Sequence, residues 1–122
     1  AAPEPAPHAI REKTEAMKRA LDEWVAHRRY MLNDQTIDDI AADLGFDRFF
    51  FAWYFTNELH TTFRTWRTEL RIKEAQRLLS EEDAAVASLH LKVGISDKSN
   101  FYKHFKAHTG MTPTEYKKSA QK

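Results

Sequence analysis

The sequence contains no cysteine, only three glycines and no long apolar run. Without cysteine there is neither a disulfide framework nor thiol chemistry. The glycines stand singly, which excludes a glycine-rich loop of the type that cradles phosphate groups. No apolar segment approaches the ~20 residues that a transmembrane helix needs, and no secretory signal peptide is recognisable. We therefore expect no membrane contact by this chain.

The chain also has little net charge. Its formal value is +1, which taken alone argues against a nucleic-acid partner. Residues 36–60, however, hold one basic and five acidic residues, a net charge of −4, whereas residues 61–80 hold five basic and two acidic residues, a net +3. Residues 94–122 hold six lysines and two acidic residues, a net +4. Because local patches govern association with nucleic acid, the near-neutral total hides a segregated pattern.

Helical periodicity dominates what is present. At 122 residues and 42% hydrophobic content, the chain suits one domain, or at most two small subdomains. Residues 1–8 are rich in proline and alanine and predict a flexible linker. Apolar residues then recur every seven positions, which predicts an amphipathic helix over residues 9–32. The recurring residues are Ile10, Met17, Trp24 and Met31.

Capping signals divide the rest of the chain into further helices. Thr36 and Asp47 are expected to cap two short helices, and Gly45 ends the first of them. The second should reach residue 59, with Leu59 on its buried side. The polar run 80–83 predicts a turn and the start of another helix. Later helices are expected to begin at Ser96 or Asp97 and at Thr112-Pro113, where proline takes the first helical position.

Part of the chain repeats. A shift of 49 positions places Gly45 on Gly94, and a shift of 50 places Phe51 on Phe101 and Phe55 on Phe105. Two helices joined by a short glycine-containing turn are typical of a helix-turn-helix, although two amphipathic helix pairs can also match by chance. We predict an all-α fold of about seven helices, organised as two helix-turn-helix motifs (36–60 and 84–109), a linker helix between them (62–80), a last helix (112–118) and a tail (119–122).

The second helix of each motif presents a different outer face. Advancing 100° per residue separates the buried side of the later helix, formed by Phe101, Phe105 and His108, from an outer side of hydroxyl and ammonium groups. Such groups suit phosphate oxygens and base edges, although lysine faces are also common on solvated helices. The outer positions of the later copy are Ser99, Tyr102, Lys103 and Lys106, flanked by Lys98 and Asn100.

The outer face of the earlier copy is aromatic and almost uncharged. Phe49 and Trp53 would be exposed, with Arg48 as the nearby cation. Aromatic rings can contact thymine methyl groups, but they do not neutralise phosphates. An exposed aromatic patch also marks protein contacts, so both interpretations stay open.

The whole of residues 36–118 resembles the DNA-binding domain of AraC/XylS-type bacterial transcription regulators. The resemblance rests on IDDIAADLGF, RTELRIKEAQRLLSEED and, most specifically, GISDKSNFYKHFKAHTGMTPTEYKK. It implies two helix-turn-helix motifs on adjacent major-groove segments of double-stranded DNA. It also implies base-reading positions at Ser99, Tyr102 and Lys103, and in the first motif at Phe49, Ala52 and Trp53. Trp53 stands where the family usually has arginine or lysine.

From the residues and the resemblance together we assign the contacts. Base contacts are expected from Ser99, Asn100, Tyr102, Lys103, Arg48, Phe49 and Trp53. Phosphate contacts are expected from Lys98, Lys106, Arg64, Arg67, Thr112 and Lys117. Members of the family usually carry a separate sensing or dimerisation region, which would attach upstream at residues 1–8. The expected location is cytoplasmic and nucleoid-associated. The alternative function is a protein-interaction module that uses the aromatic first motif, with RNA polymerase as one candidate partner.

Enzymatic and metal-binding functions find no support in the sequence. His104 and His108 lie one helical turn apart, but no third ligand accompanies them, so a partly buried pair without metal is favoured. The carboxylates at 38–39 and 81–83 stand at helix starts, where capping and solvation explain them. We expect no catalytic residues, no cofactor and no metal.

Overall fold

The computed structural model describes residues 7–32 and 35–120. In those residues the chain forms seven α-helices and no strand, which confirms the predicted all-α fold. Short 3₁₀ turns occupy Arg29–Met31 and Val86–Ser88. No helix in the described ranges combines the length and apolarity needed to cross a membrane. The helices are α1 (Pro7–Ala26), α2 (Ile37–Leu44), α3 (Arg48–Asn57), α4 (Phe63–Glu81), α5 (Leu89–Lys92), α6 (Lys98–Thr109) and α7 (Pro113–Ala120).

The chain divides into two compact units. The first contains α1, α2 and α3, and its core is built from the apolar faces of all three helices. The second contains α4 to α7 together with residues 30–32, which connect α1 to the rest of the chain. Each unit therefore carries one of the two predicted helix-turn-helix motifs, and the linker helix α4 belongs to the second unit. The buried residues of the first unit are Met17, Leu21, Trp24, Ile40, Ala41, Phe51, Tyr54 and Phe55.

Local capping explains where the helices of the first motif begin and end. Thr36 caps α2 in a reciprocal capping box, in which its hydroxyl accepts from the Asp39 N–H and the Asp39 carboxylate accepts from the Thr36 N–H, both at 3.1 Å. Gly45 ends α2 in the left-handed region with φ of +86°. Asp47 then caps α3 by accepting the Phe50 N–H at 2.8 Å. These sequence-based assignments are confirmed.

The predicted bounds of α1 are wrong at both ends. The helix begins at Pro7, so residues 7 and 8 form part of a helix rather than of a linker; residues 1–6 lie outside the described residues. It ends at Ala26 instead of residue 32, because Arg28 takes a positive φ of 55° that an α-helix does not allow. Met31, assigned by periodicity to the α1 stripe, packs against the core of the second unit.

The second unit has its core between α4, α5 and α6. Phe101 and Phe105 are fully buried, and the Phe105 ring meets Tyr116 of α7 edge-on at 5.5 Å between centroids. Asp97, rather than Ser96, caps α6 by accepting the Asn100 N–H at 3.1 Å. Thr112 and Glu115 form a second capping box at the start of α7. Buried apolar residues of this core are Ile72, Ala75, Leu79, Ala84, Leu89, Val93, Phe101 and Phe105.

Three further boundaries differ from the predictions. The linker helix continues to Glu81, and Asp83 makes the turn with a φ of +49°, so the acidic run ends a helix instead of starting one. The first helix of the second motif is a 3₁₀ turn followed by the short α5. The last helix extends to Ala120 and includes two residues of the predicted tail, while residues 121–122 lie outside the described part.

A buried arginine, which the sequence pattern did not indicate, anchors the connector to α4. Arg71 is only 7% exposed, and its guanidinium donates to the carbonyl oxygens of Tyr30 at 2.6 Å and Leu32 at 2.8 Å. Burial, with the nearby charge of Arg67 as a second cause, lowers its pKa to about 10. Gly94 packs directly against residue 31 of the connector, because a Cβ at this position would overlap the Met31 carbonyl. The connector thus lies against the turn of the second motif.

Candidate nucleic-acid interface

The outward face of α6 is polar and cationic. Ser99, Lys103 and Lys106 are exposed, while Phe101 and Phe105 hold the opposite face in the core. Tyr102 is half-buried, and the Lys98 ammonium lies 5.7 Å from its ring centroid. The fold therefore presents hydroxyl and ammonium groups together on one helix face, anchored from behind by two phenylalanines.

The start of α6 adds two further polar groups to this face. Lys98 and Asn100 are both exposed in the first turn. The Asp97 carboxylate takes the Asn100 backbone N–H, so the cap leaves the Asn100 side-chain amide outside that interaction. All six residues predicted at the second motif thus lie on α6, five of them exposed and one half-buried.

The outward face of α3 differs from that of α6 in chemistry. Phe49 is 79% exposed and Trp53 is 37% exposed. The Trp53 ring stacks on Phe50 with 5.6 Å between centroids, and Phe50 stacks on Phe46 at 5.7 Å, each with 25° between ring planes. Leu59, predicted to be buried, lies beyond the end of α3 and is 38% exposed. The surface of the first motif is consequently aromatic, as its sequence indicated.

Two cations beside α3 in the described residues, Arg48 and Lys13, face carboxylates as well. Arg48 Nε lies 3.7 Å from Asp38 Oδ1, and its guanidinium is 5.7 Å from the Phe49 ring centroid. Lys13 lies 3.6 Å from Asp47 Oδ2 and 4.3 Å from the Phe50 ring centroid. The Phe50 N–H, with Lys13 contributing, lowers the pKa of Asp47, so this carboxylate is ionised at neutral pH. Positive charge at α3 is therefore locally balanced.

Two of the predicted phosphate contacts lie on α4. Arg64 is exposed, whereas Arg67 is half-buried with its guanidinium 5.2 Å from the Phe63 ring centroid. The buried Nε of Arg67 has no hydrogen-bond partner within the described ranges. Burial, together with the charge of Arg64, lowers the pKa of Arg67. The two arginines thus differ in how freely they can reach a ligand.

Lys117 is held inside the second unit, which does not fit a simple phosphate contact. Its ammonium donates to the Ala84 carbonyl at 2.9 Å and lies 3.3 Å from the Asp83 carboxylate. This lysine ties α7 to the turn after α4. Thr112 is also engaged, since its hydroxyl accepts the Glu115 N–H at 3.2 Å, but the hydroxyl proton is still a donor for phosphate.

The histidines of α6 and the carboxylates near the end of α4 do not form a metal site in the described residues. His104 is half-buried, but His108 is exposed, so its predicted place on the buried side of α6 is wrong. No group of three or more metal-binding side chains occurs in the ranges that the structure describes. The carboxylates of Glu74, Glu81 and Glu82 all contact the guanidinium of Arg77. The hydrogen bonds that Arg77 donates to the Glu74 carboxylate, followed by the one to Glu82, raise the pKa of Arg77.

Comparison with known proteins identifies a matching family model and solved structures with the same fold. A family model described as a helix-turn-helix domain matches residues 51–119, from within α3 into the last turn of α7. The melibiose operon regulatory protein of Escherichia coli (strain K12) is 29% identical over 86 residues, which are 70% of this chain and 28% of that protein. The chain therefore spans less than a third of the length of this curated relative.

Solved structures share the fold at low sequence identity. A transcriptional regulator from Chromobacterium violaceum, described as having an AraC-type DNA-binding domain, superposes with a TM-score of 0.73 at 24% identity, covering 87% of this chain and 96% of the other. The DNA-binding domain of AdpA, solved in complex with a target DNA, gives a TM-score of 0.72 at 23% identity, covering 84% and 93%. At such identities the likeness establishes the all-α architecture.

Proposed function

The chain belongs to the AraC/XylS-type helix-turn-helix family of DNA-binding transcription regulators, and we propose that it recognises a specific sequence by placing α6 in the major groove. The observation that carries this proposal is the exposed polar face of α6. A major groove about 12 Å wide admits a helix, and each base pair presents a distinct pattern of donors and acceptors there. Family membership among regulators also argues against an enzyme.

We assign base contacts and phosphate contacts to residues according to the exposure of their side chains. Base edges are contacted by Ser99, Asn100, Tyr102 and Lys103, among which the Lys103 ammonium suits the acceptor atoms of guanine. In the first motif Arg48, Phe49 and Trp53 meet an adjacent segment of the groove. Phosphates are contacted by Lys98, Lys106, Arg64, Arg67 and Thr112. We leave Lys117 out of this set because its ammonium is already bound by the Ala84 carbonyl.

Selection of duplexes from a random pool, at a stated salt concentration, tests the proposal. We expect a bipartite preferred site with half-sites about 10 bp apart, the spacing of one helical turn. The Lys103→Ala variant should bind that site more weakly by about 1–3 kcal/mol and should lose preference at one or two base pairs. Unchanged affinity and preference in this variant would show that α6 is not the reading helix.

A second candidate function is docking of a protein partner on the aromatic face of α3, with RNA polymerase as a candidate. The 79% exposure of Phe49 favours it, since large exposed aromatics mark protein contacts. The test compares Trp53→Ala in DNA binding and in partner capture. Loss of capture with unchanged DNA binding would support docking, and loss of DNA binding alone would exclude it.

The proposal extends to the longer protein in which such a domain acts. The melibiose regulator is more than three times as long as the stretch it shares with this chain. We propose that a sensing or dimerisation region precedes α1, and that the regulator acts in the cytoplasm on nucleoid DNA. Expression of the full gene product, with its oligomeric state measured by light scattering, tests the first point.

A further inference from the structure

The reading face of α3 consists of four positions on one side of the helix. Their spacing of i, i+3, i+4 and i+7 places them on a single stripe. The shift of 50 positions that relates the two motifs pairs each of them with an outward position of α6. The pairs are Phe49 with Ser99, Ala52 with Tyr102, Trp53 with Lys103 and Thr56 with Lys106.

These four positions hold few hydrogen-bonding groups. Phe49 and Ala52 have no polar side-chain atom, and Trp53 and Thr56 supply one indole N–H and one hydroxyl. The nearby cations, Arg48 and Lys13, face the carboxylates of Asp38 and Asp47. With one N–H and one hydroxyl, this face can satisfy few of the acceptors of guanine and the amino groups of cytosine once water is excluded, and leaving the rest unsatisfied is costly.

One base edge in the major groove does match an apolar face. Thymine carries a C5 methyl group there, which neither adenine, guanine nor unmodified cytosine presents. Burying that methyl against an aromatic ring removes apolar surface of both partners from water. Ala52 is exposed on the same stripe, and its small side chain allows the helix to approach the base edges closely.

The stack beneath the face fixes one of the two rings. Phe46, Phe50 and Trp53 stack in sequence, and the Lys13 ammonium lies over Phe50. The Trp53 indole is therefore held in position before any ligand arrives, which lowers the entropy lost on binding. Phe49, at 79% exposure, has room to adjust to the groove.

We propose, resting on the proposed entry of this motif into the major groove, that α3 selects a thymine-rich half-site by packing Phe49 and Trp53 on thymine methyl groups. Phe49 and Trp53 are then specificity-determining residues of the first motif. Because no phosphate is neutralised by these two rings, the contact adds affinity that depends little on salt.

Replacing thymine by deoxyuridine tests this inference, since the exchange removes only the methyl group. The duplex is the preferred site selected with the unaltered chain, and its two half-sites are assigned by the positions at which Lys103→Ala and Trp53→Ala lose preference. Deoxyuridine in the α3 half-site should weaken binding about fourfold for each contacted methyl, the effect of losing one buried carbon. The slope of log affinity against log salt should not change.

Matched variants and duplexes provide the controls. In Phe49→Ala and Trp53→Ala the thymine duplex and the deoxyuridine duplex should bind equally at the contacted step. Leu59→Ala removes a side chain of 38% exposure, close to the 37% of Trp53, and should keep the discrimination. Deoxyuridine in the α6 half-site should have no comparable effect. Because the exchanged side chains are exposed, each variant should keep the helical content of the unaltered chain, checked by circular dichroism.

The outcomes separate this inference from the function on which it rests. If no duplex is enriched, the proposed function itself fails. If a specific site is enriched but deoxyuridine in the α3 half-site weakens binding by less than about 1.5-fold, far below the expected fourfold loss, the thymine inference is overturned. Sequence-specific binding then still stands. If Phe49→Ala and Trp53→Ala leave DNA binding unchanged but abolish capture of a protein partner, the α3 face is a protein-docking surface and the inference is likewise overturned.

Discussion

The two helix-turn-helix motifs share a scaffold and differ in the surface that they present. In both, an aspartate caps the second helix, and two phenylalanines four residues apart are buried, Phe51 with Phe55 and Phe101 with Phe105. Outward, α6 carries lysines and hydroxyl groups, whereas α3 carries Phe49 and Trp53. Because inward and outward positions of a helix contact different surroundings, one backbone can be kept while its recognition chemistry changes.

The turns of the two motifs look equivalent in sequence but differ in packing. Gly45 and Gly94 have nearly the same left-handed φ, +86° and +87°. A Cβ at Gly45 would meet nothing within 4 Å, whereas at Gly94 it would overlap the backbone of Met31. The second turn is therefore constrained by its neighbour as well as by its own conformation, and the first only by conformation.

The largest expected effect tests whether the cores of the two units contribute equally to the free energy of unfolding. Phe55→Ala and Phe105→Ala each remove a fully buried ring, and each should lower the free energy of unfolding by about 3–5 kcal/mol. Chemical denaturation measures the loss, and segment-resolved hydrogen exchange locates it. We expect faster exchange in α2 and α3 for the first variant and in α4 to α7 for the second. Uniform acceleration in both variants would mean that the units unfold together.

The turn glycines give the next largest contrast. Gly45→Ala should cost about 1–2 kcal/mol, the strain of a left-handed conformation with a Cβ. Gly94→Ala should cost clearly more, because the connector at Met31 must also move. Thermal unfolding of the two variants side by side measures the difference. Equal losses would contradict the packing constraint on the second turn.

The cap of α3 should contribute a smaller, pH-dependent stability. Asp47→Ala is expected to cost about 1 kcal/mol near neutral pH, as usual for an N-cap. The folded chain holds the pKa of Asp47 below its ordinary value of 3.8, chiefly through the Phe50 N–H. Its stabilisation is thus complete above that value and is lost as the pH falls through the lowered pKa. Urea titrations from about pH 6 down to about pH 2 should show the unfolding free energies of the variant and the unaltered chain converging in acid. A constant difference would contradict this linkage.

The smallest expected effect comes from exchanging charge between the outward faces of α3 and α6. Lys106 and Thr56 occupy equivalent positions, so Lys106→Thr should reduce the slope of log affinity against log salt by about 0.9, and Thr56→Lys should increase it by a similar amount. Fluorescence anisotropy with a selected duplex at several salt concentrations measures both. Lys117→Met is the control, since its ammonium is bound to the Ala84 carbonyl. A slope change as large in the control would mean that Lys117 also contacts phosphate.

Much of the candidate interface follows from local sequence patterns. The exposed positions of Ser99, Lys103 and Lys106 follow from the spacing of Phe101 and Phe105, because a buried stripe fixes the direction of every other side chain on the same helix. The engagement of Lys117 does not follow, since its partner Ala84 is 33 positions away. Helical periodicity also predicted His108 on the buried side of α6. The core ends before that position, so His108 is exposed.

The sequence by itself determined the caps of α2, α3 and α7, the repeat of the motif and the chemistry of the two outward faces. Capping and helical periodicity join residues three or four positions apart, so they can be read without a fold. Only the tertiary structure decided that α1 ends at Ala26 and that Met31 belongs to the second unit. Only the structure, too, revealed the buried Arg71, which donates to Tyr30 across 41 positions of sequence. Bonds across such distances have no periodic signature, because they depend on which surfaces meet once the helices have packed.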